Sequence, residues 1–176
     1  MNKVCLSGLS AIIEASRMLR LGEAEVAVAG GQESMSNAPH LLPGFRSGHL
    51  YGNSTLLDSA ALDGLIDAFE HESMGSVTDR ANEELQISRA DQDKAALASH
   101  QRAAAAQDNG LFQSEITPVK VPQRRGEAVL ATSDEGIRAN TTIEVLSRLK
   151  PAFSPEGTVT AANASPHSTT GRPLLF

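Results

Sequence analysis

Asn2-Lys3-Val4-Cys5-Leu6-Ser7-Gly8-Leu9 leads into Ser10-Ala11-Ile12-Ile13-Glu14-Ala15-Ser16-Arg17-Met18-Leu19-Arg20-Leu21, and after Gly22 the chain soon reaches Glu25-Val26-Ala27-Val28-Ala29-Gly30-Gly31. In the first block Leu9, Ile12, Ile13, Met18 and Leu19 recur at helical spacing, with Ser10, Glu14, Ser16, Arg17 and Arg20 filling the remainder. The spacing predicts a helix from Leu6 to Leu21, stopped by Gly22. The run Glu25 to Ala29 is short, apolar and closed by two glycines, which predicts a buried strand and a tight turn. Helix, short turn and apolar strand imply part of an α/β layer.

Cys5 stands at the head of that helix. Unpaired backbone N–H groups and the positive end of the helix dipole face such a position. Both stabilise a thiolate, the nucleophilic form of cysteine. Gly8 removes a side chain one turn into the helix and permits close approach there. A lone cysteine is more often a small buried apolar residue. The five histidines, at 40, 49, 71, 100 and 167, carry no local signature of a catalytic base. Position alone leaves both readings open.

The totals narrow the classes. The chain has 176 residues, 40% apolar but only 3% aromatic and without Trp, so its core is aliphatic and Ala-rich. That length suits one domain, or one domain and a lobe. The net charge of −6 speaks against a general field for nucleic acid. A single cysteine permits no internal disulfide and points to a reducing compartment, hence a cytoplasmic location. No signal peptide is visible, and no run of about 18 apolar residues offers a membrane span.

Further along, residues 32 to 59 are rich in Gly, Pro, Ser, Asn and His without a sustained period. Such a long excursion is functional or mediates assembly. A short helix is expected within Leu56 to Phe69, and another helix from Ser73 to Leu85. Ser88 with Asp91 is an N-cap signature for an Ala-rich helix that reaches Asp108 and stops at Asn109-Gly110. Glu115 to Val121 reads as an edge strand because it contains Pro118. A polar turn at Gln123 to Glu127, a short helix at Thr142 to Leu149 and a strand at Thr158 to Ala162 complete the reading.

Several segments together resemble the thiolase family. Asn2 to Leu9 looks like the active-site segment N-x-x-C-x-S-G. Val28-Ala29-Gly30-Gly31-Gln32-Glu33-Ser34-Met35-Ser36 resembles A-G-G-x-E-S-M-S, followed by Ala38-Pro39-His40. Asp63-Gly64-Leu65, Met74-Gly75, Ser88-Arg89 with Gln92-Asp93, Leu149-Lys150-Pro151-Ala152-Phe153, and Gly157-Thr158-Val159-Thr160-Ala161 with Asn163-Ala164-Ser165 match further landmarks in family order. The similarity is greatest to the acetyl-CoA acetyltransferase branch.

The resemblance implies a fold and a chemistry. The fold would be α/β, part of a layered α/β/α thiolase-like architecture with its inserted loop domain. Residues 1–34 would belong to the N-terminal core and residues 35–165 to the loop domain that grips coenzyme A. Cys5 would be the nucleophile that receives the acyl group as a thioester. Leu65, Met74, Arg138, Phe153, Ala161 and Ser165 would lie around the CoA, with Arg138 near its nucleotide end and Phe153, Ala161 and Ser165 near the pantetheine arm. A cation for phosphate or adenine, apolar surfaces for a thin chain and a hydroxyl for an amide suit that ligand. Phe153 and Met74 suit core packing equally well. Ser73 stands where some acetoacetyl-CoA thiolases have His, and Val145 where some relatives have Ser near the adenine. CoA would be substrate and product, with no cofactor and no metal. Acyl-CoA and CoA would be the partners, with neither nucleic acid nor membrane among them, and full-length relatives form dimers or tetramers.

Family chemistry also uses a G-H-P histidine and a second cysteine in C-x-G-x-G, and neither pattern occurs in these 176 residues. The chain alone is therefore expected to be a truncated, inactive piece of an acetyl-CoA C-acetyltransferase. A non-catalytic remnant that retains CoA binding is the alternative, and a redox sensor using Cys5 ranks below both. After Asn163-Ala164-Ser165 the family continues with G-x-x-D-G-A-A-A, whereas this chain continues Pro166-His167-Ser168-Thr169-Thr170-Gly171-Arg172-Pro173-Leu174-Leu175-Phe176. Codons for that tail, read from their third base, permit Asp-Asp-Gly-Ala-Ala-Ala. Residues 166–176 are thus expected to be a frameshifted tail.

Overall fold

A computed structural model describes residues 1–49 and 51–165. The tail read above as frameshifted lies outside the described residues. The chain divides into two compact units, one over Met1–Glu72 and one beginning at Ser73.

In the first unit a 3₁₀ turn, Val4–Leu6, runs directly into helix α1, Ser7–Arg20. The helix ends as its sequence requires. Gly22 takes a φ of +74°, and Glu23 N–H returns to the Met18 carbonyl at 2.9 Å. That left-handed stop costs glycine nothing because it has no Cβ to crowd the carbonyl. The apolar residues of α1 have little cover, and Ser10 is its one buried residue. The expected strand at Glu25 to Ala29 is not formed. No described strand pairs with it, so its N–H and C=O groups lack a ladder, and Val28 is 99% exposed. An apolar run becomes a strand only when a neighbour supplies those hydrogen bonds. Within the long excursion, β1 (His40–Leu41) pairs antiparallel with β2 (Leu57–Asp58), His40 opposite Asp58. The expected short helix is a single π-helical turn, Ala61–Leu65.

The second unit holds α2 (Met74–Glu84), α3 (Arg89–Asp108) and α4 (Ile143–Ser147). One capping device starts all three. Ser73 Oγ accepts from Ser76 N–H, Ser88 Oγ from Asp91 N–H, and Thr142 Oγ1 from Val145 N–H. Each hydroxyl satisfies a backbone donor that has no partner inside its helix. Ser73, the residue that departs from some relatives, therefore has a structural task of its own. At α4 the Glu144 carboxyl is held below its ordinary range, first by a backbone N–H of its own residue and then by the Thr142 side chain. The edge strand is shorter than expected, β3 (Val119–Val121), and it pairs antiparallel with β4 (Val129–Ala131), an element of three residues that carries no pattern by itself.

The expected strand at Thr158 to Ala162 reduces to one bridge, Thr160 opposite Pro151. The reason is a carboxylate. Asp79 of α2 accepts from the N–H of both Thr158 (2.7 Å) and Val159 (2.8 Å) through Oδ1, so those donors do not serve a ladder. A second carboxylate, Asp93 of α3, is only 2% exposed. It takes both oxygens to Arg89 Nε and accepts from Asn163 Nδ2 at 3.0 Å. Arg89 donates onward to the carbonyls of Leu146 and Leu149. Leu146 and Val159 are the buried apolar residues beside this network. Two carboxylates thus fasten the segment after α4 onto α2 and α3.

Candidate active site

The turn ahead of α1 is shaped by its own polar side chains. Val4 N–H donates to Asn2 Oδ1 at 2.9 Å, Lys3 N–H to Ser7 Oγ at 2.7 Å, and Ser7 Oγ–H to the Val4 carbonyl at 2.8 Å. Val4 itself sits at φ +52°, a conformation that a β-branched residue rarely adopts. Cys5 follows it, exposed, with a free thiol. No side chain caps α1, and the N–H groups of Leu6 and Ser7, next after the cysteine, return to the Lys3 and Val4 carbonyls of the 3₁₀ turn.

Two other segments singled out in the sequence reach this turn within the first unit. A Cβ built on Gly31 would lie 3.5 Å from Gly8 Cα, so a side chain at position 31 would meet the start of α1. A Cβ on Gly64 would lie 3.9 Å from Val4 Cγ1. Leu65, half-buried, follows Gly64 directly and is thereby placed close to the cysteine turn. Gly8 approaches with its backbone only, because a Cβ there would meet nothing within 4 Å.

The second unit contributes two groupings. Gly75 in the first turn of α2 lies flat against the Phe153 ring, so closely that a Cβ would fall inside it. Met74, the residue before Gly75, and Phe153 are 51% and 42% exposed. Arg138 and Ala161 line one small hollow of about 20 Å³ with His100, Gly136, Ala162 and Ala164. It is about the size of one water molecule. Ser165 follows Ala164 and is exposed. His100 carried no signature in the sequence, yet its Nδ1 accepts from Arg138 N–H at 3.2 Å and fixes the backbone that carries the cation. Cys5 and Leu65 therefore belong to the first unit, and Met74, Arg138, Phe153, Ala161 and Ser165 to the second. Among the described residues no group of His, Cys, Asp and Glu is arranged to hold a metal ion, and no helix is long and apolar enough to cross a membrane.

The Gly75–Phe153 contact makes a test with a built-in control. Gly75→Ala should destabilise the second unit by about 1–2 kcal/mol. Overpacking costs roughly 1–3 kcal/mol, and the helix propensity gained returns at most about 1 kcal/mol. Gly8→Ala, equally near a helix start but in open space, should be neutral or slightly stabilising. Urea unfolding of the two variants compares them. Equal midpoints would show that the ring yields without cost.

Comparison with known proteins gives the family. Residues 1–171 match the family model described as the thiolase N-terminal domain. The chain is 54% identical over 164 residues to a probable acetyl-CoA acetyltransferase of Mycolicibacterium smegmatis, covering 93% of this chain and 42% of that protein. It is 50% identical over 165 residues to an acetyl-CoA acetyltransferase of Pseudomonas aeruginosa, covering 94% and 42% respectively. A probable acetyl-CoA acyltransferase of Staphylococcus aureus is 48% identical over 164 residues. The chain spans about two fifths of the length of these relatives. With the match over almost its whole length, the chain belongs to the thiolase family and carries that family's α/β N-terminal domain.

Proposed function

We propose that the protein to which these residues belong is an acetyl-CoA C-acetyltransferase, and that Cys5 is its acyl-accepting nucleophile. The observation that carries this reading is the exposed Cys5 thiol on a strained turn at an uncapped helix start. The Cys5 thiolate attacks the carbonyl carbon of an acyl-CoA. The carbon–sulfur bond to CoA breaks, CoA departs as its thiolate and takes up a proton, and the acyl group remains on Cys5 as a thioester. Thioester replaces thioester, so little free energy is lost and the acyl group stays reactive toward a second acyl-CoA carbanion or toward CoA in the reverse direction. The acid and base for those proton transfers correspond to family positions with no counterpart in these residues.

Residues 35–165 act in this reading as the loop domain over CoA. Arg138 faces the nucleotide end, Phe153, Ala161 and Ser165 flank the pantetheine arm, and Leu65 and Met74 lie elsewhere around the CoA. The shared hollow of Arg138 and Ala161 supports the assignment. CoA is substrate and product, with no further cofactor. The uncovered apolar residues of α1 and of Val26 and Val28 support a completed, homo-oligomeric protein that covers them. A cytoplasmic location goes with the single reduced cysteine.

The test is an intact enzyme in which residues 1–165 replace the matching segment of the Mycolicibacterium smegmatis relative. Incubated with acetyl-CoA and quenched in acid, it should carry one acetyl group on Cys5 by peptide mass spectrometry. Acetylation elsewhere, with Cys5 unmodified during turnover, would refute the assignment.

A further inference from the structure

We infer that Asn2 and Ser7 are positioning residues, a polar clasp that holds Val4 in the left-handed conformation and thereby aims Cys5. The inference rests on the reading of Cys5 as nucleophile. Both main-chain polar groups of Val4 are held by side chains. Its N–H is bound to Asn2 Oδ1, and its carbonyl accepts from Ser7 Oγ–H as well as from the Ser7 N–H of the 3₁₀ turn. Fixing the two ends of one residue fixes its φ and ψ. The ψ of Val4 sets the peptide plane that leads into Cys5, and so the direction of the Cys5 Cα–Cβ bond. Lys3 N–H, donating to the same Ser7 Oγ, closes the loop between the two side chains.

Without such bonds the conformation has no reason to persist. The branched Cβ of valine crowds the backbone at positive φ, and strained residues persist only where their surroundings over-determine them. The clasp is that surrounding. A glycine at position 4 would adopt the same φ without strain and without needing the clasp. Valine has a further anchor in Cγ1, which lies toward Gly64. The arrangement exchanges local strain for a single thiol direction at the head of α1.

Cys5 is the one cysteine of the sequence, so its alkylation by iodoacetamide reports this geometry in the 176-residue chain without any turnover. In Asn2→Ala and Ser7→Ala the alkylation rate should fall. In the intact enzyme described above, acylation by acetyl-CoA should slow by roughly 10- to 100-fold, the scale set by a misplaced reacting group, with KM for acetyl-CoA unchanged. Asn2→Asp keeps an Oδ acceptor and should retain most of the rate. The double variant Asn2→Ala with Val4→Gly should recover, because glycine reaches the left-handed region unaided. Wild-type alkylation and acylation in both alanine variants would overturn the proposal. So would failure of Val4→Gly to restore the double variant, since a merely structural loss is not repaired by a glycine. Should Asn2→Ala fail to fold, the comparison of Asn2→Asp with Ser7→Ala decides in the same way. Full turnover in Cys5→Ala would instead strike the nucleophile assignment, and the alkylation series would still judge the clasp.

Discussion

Cys5→Ala in the intact enzyme should lower acetoacetyl-CoA cleavage by roughly 10⁴–10⁶-fold, the range seen when a covalent nucleophile is removed from a working site. Cys5→Ser should be nearly as severe. A serine hydroxyl is scarcely ionised at neutral pH, and an acyl group placed on it would be an oxygen ester, which exchanges poorly with a thiol. KM for the thioester should change little in either variant, because the CoA contacts proposed above do not include Cys5. Steady-state cleavage followed by loss of the acetoacetyl-CoA absorbance measures this. A fall of less than about tenfold would mean that another group accepts the acyl chain. The 176-residue chain by itself should show no turnover even with Cys5 intact, since general acid and base steps are each worth about 10²–10⁴-fold and the sequence contains no second cysteine.

The second large effect concerns stability. Asp93→Ala should destabilise the second unit by about 3–5 kcal/mol, the cost of leaving a partly buried charge without its partner. Arg89 would keep its bonds to the Leu146 and Leu149 carbonyls but lose the carboxylate that neutralises it, and Asn163 would lose an acceptor. Asp79→Ala should cost about 1–3 kcal/mol, since two main-chain donors lose their acceptor. Lys94→Ala removes an exposed pair with Asp91 at 3.7 Å and should change stability by less than about 0.5 kcal/mol. Urea midpoints of the three variants give the ranking. Equal effects of Asp93→Ala and Lys94→Ala would show that the buried pair contributes nothing beyond a surface one.

What could be read from the sequence follows from how local each cause is. Helix α3 was legible at both ends because its cap, Ser88 with Asp91, and its stop at Gly110 act within a few residues. Glu25 to Ala29 and Thr158 to Ala162 were misread because a strand is a statement about neighbours. The first lacks one, and the second gives its N–H groups to a carboxylate 79 and 80 positions earlier in the chain. β4 was too short to register. At the candidate site, the motif points to Cys5, and Arg138 and Ala161, far apart in sequence, line one small hollow. His100 escaped because its partner lies 38 residues away. Asp79 and Asp93 escaped because a charged residue on an amphipathic helix ordinarily belongs to the solvated face.

Asp79 grips main chain more closely than side chain, at 2.7 and 2.8 Å against 3.5 Å for the Ser154 and Thr158 hydroxyls, and this changes which substitutions the segment tolerates. An N–H is offered by every residue except proline, so the bond at position 158 or 159 is blind to residue identity. Many side chains could be exchanged there while the backbone path stays the same, limited at Val159 by the space around it and at Thr158 by the amides of Asn82 and Gln92. Position 157 has no such latitude. A Cβ on Gly157 would occupy the place of the Asp79 carboxylate, so the latch permits diversity at the residues it holds and forbids it at the one it passes.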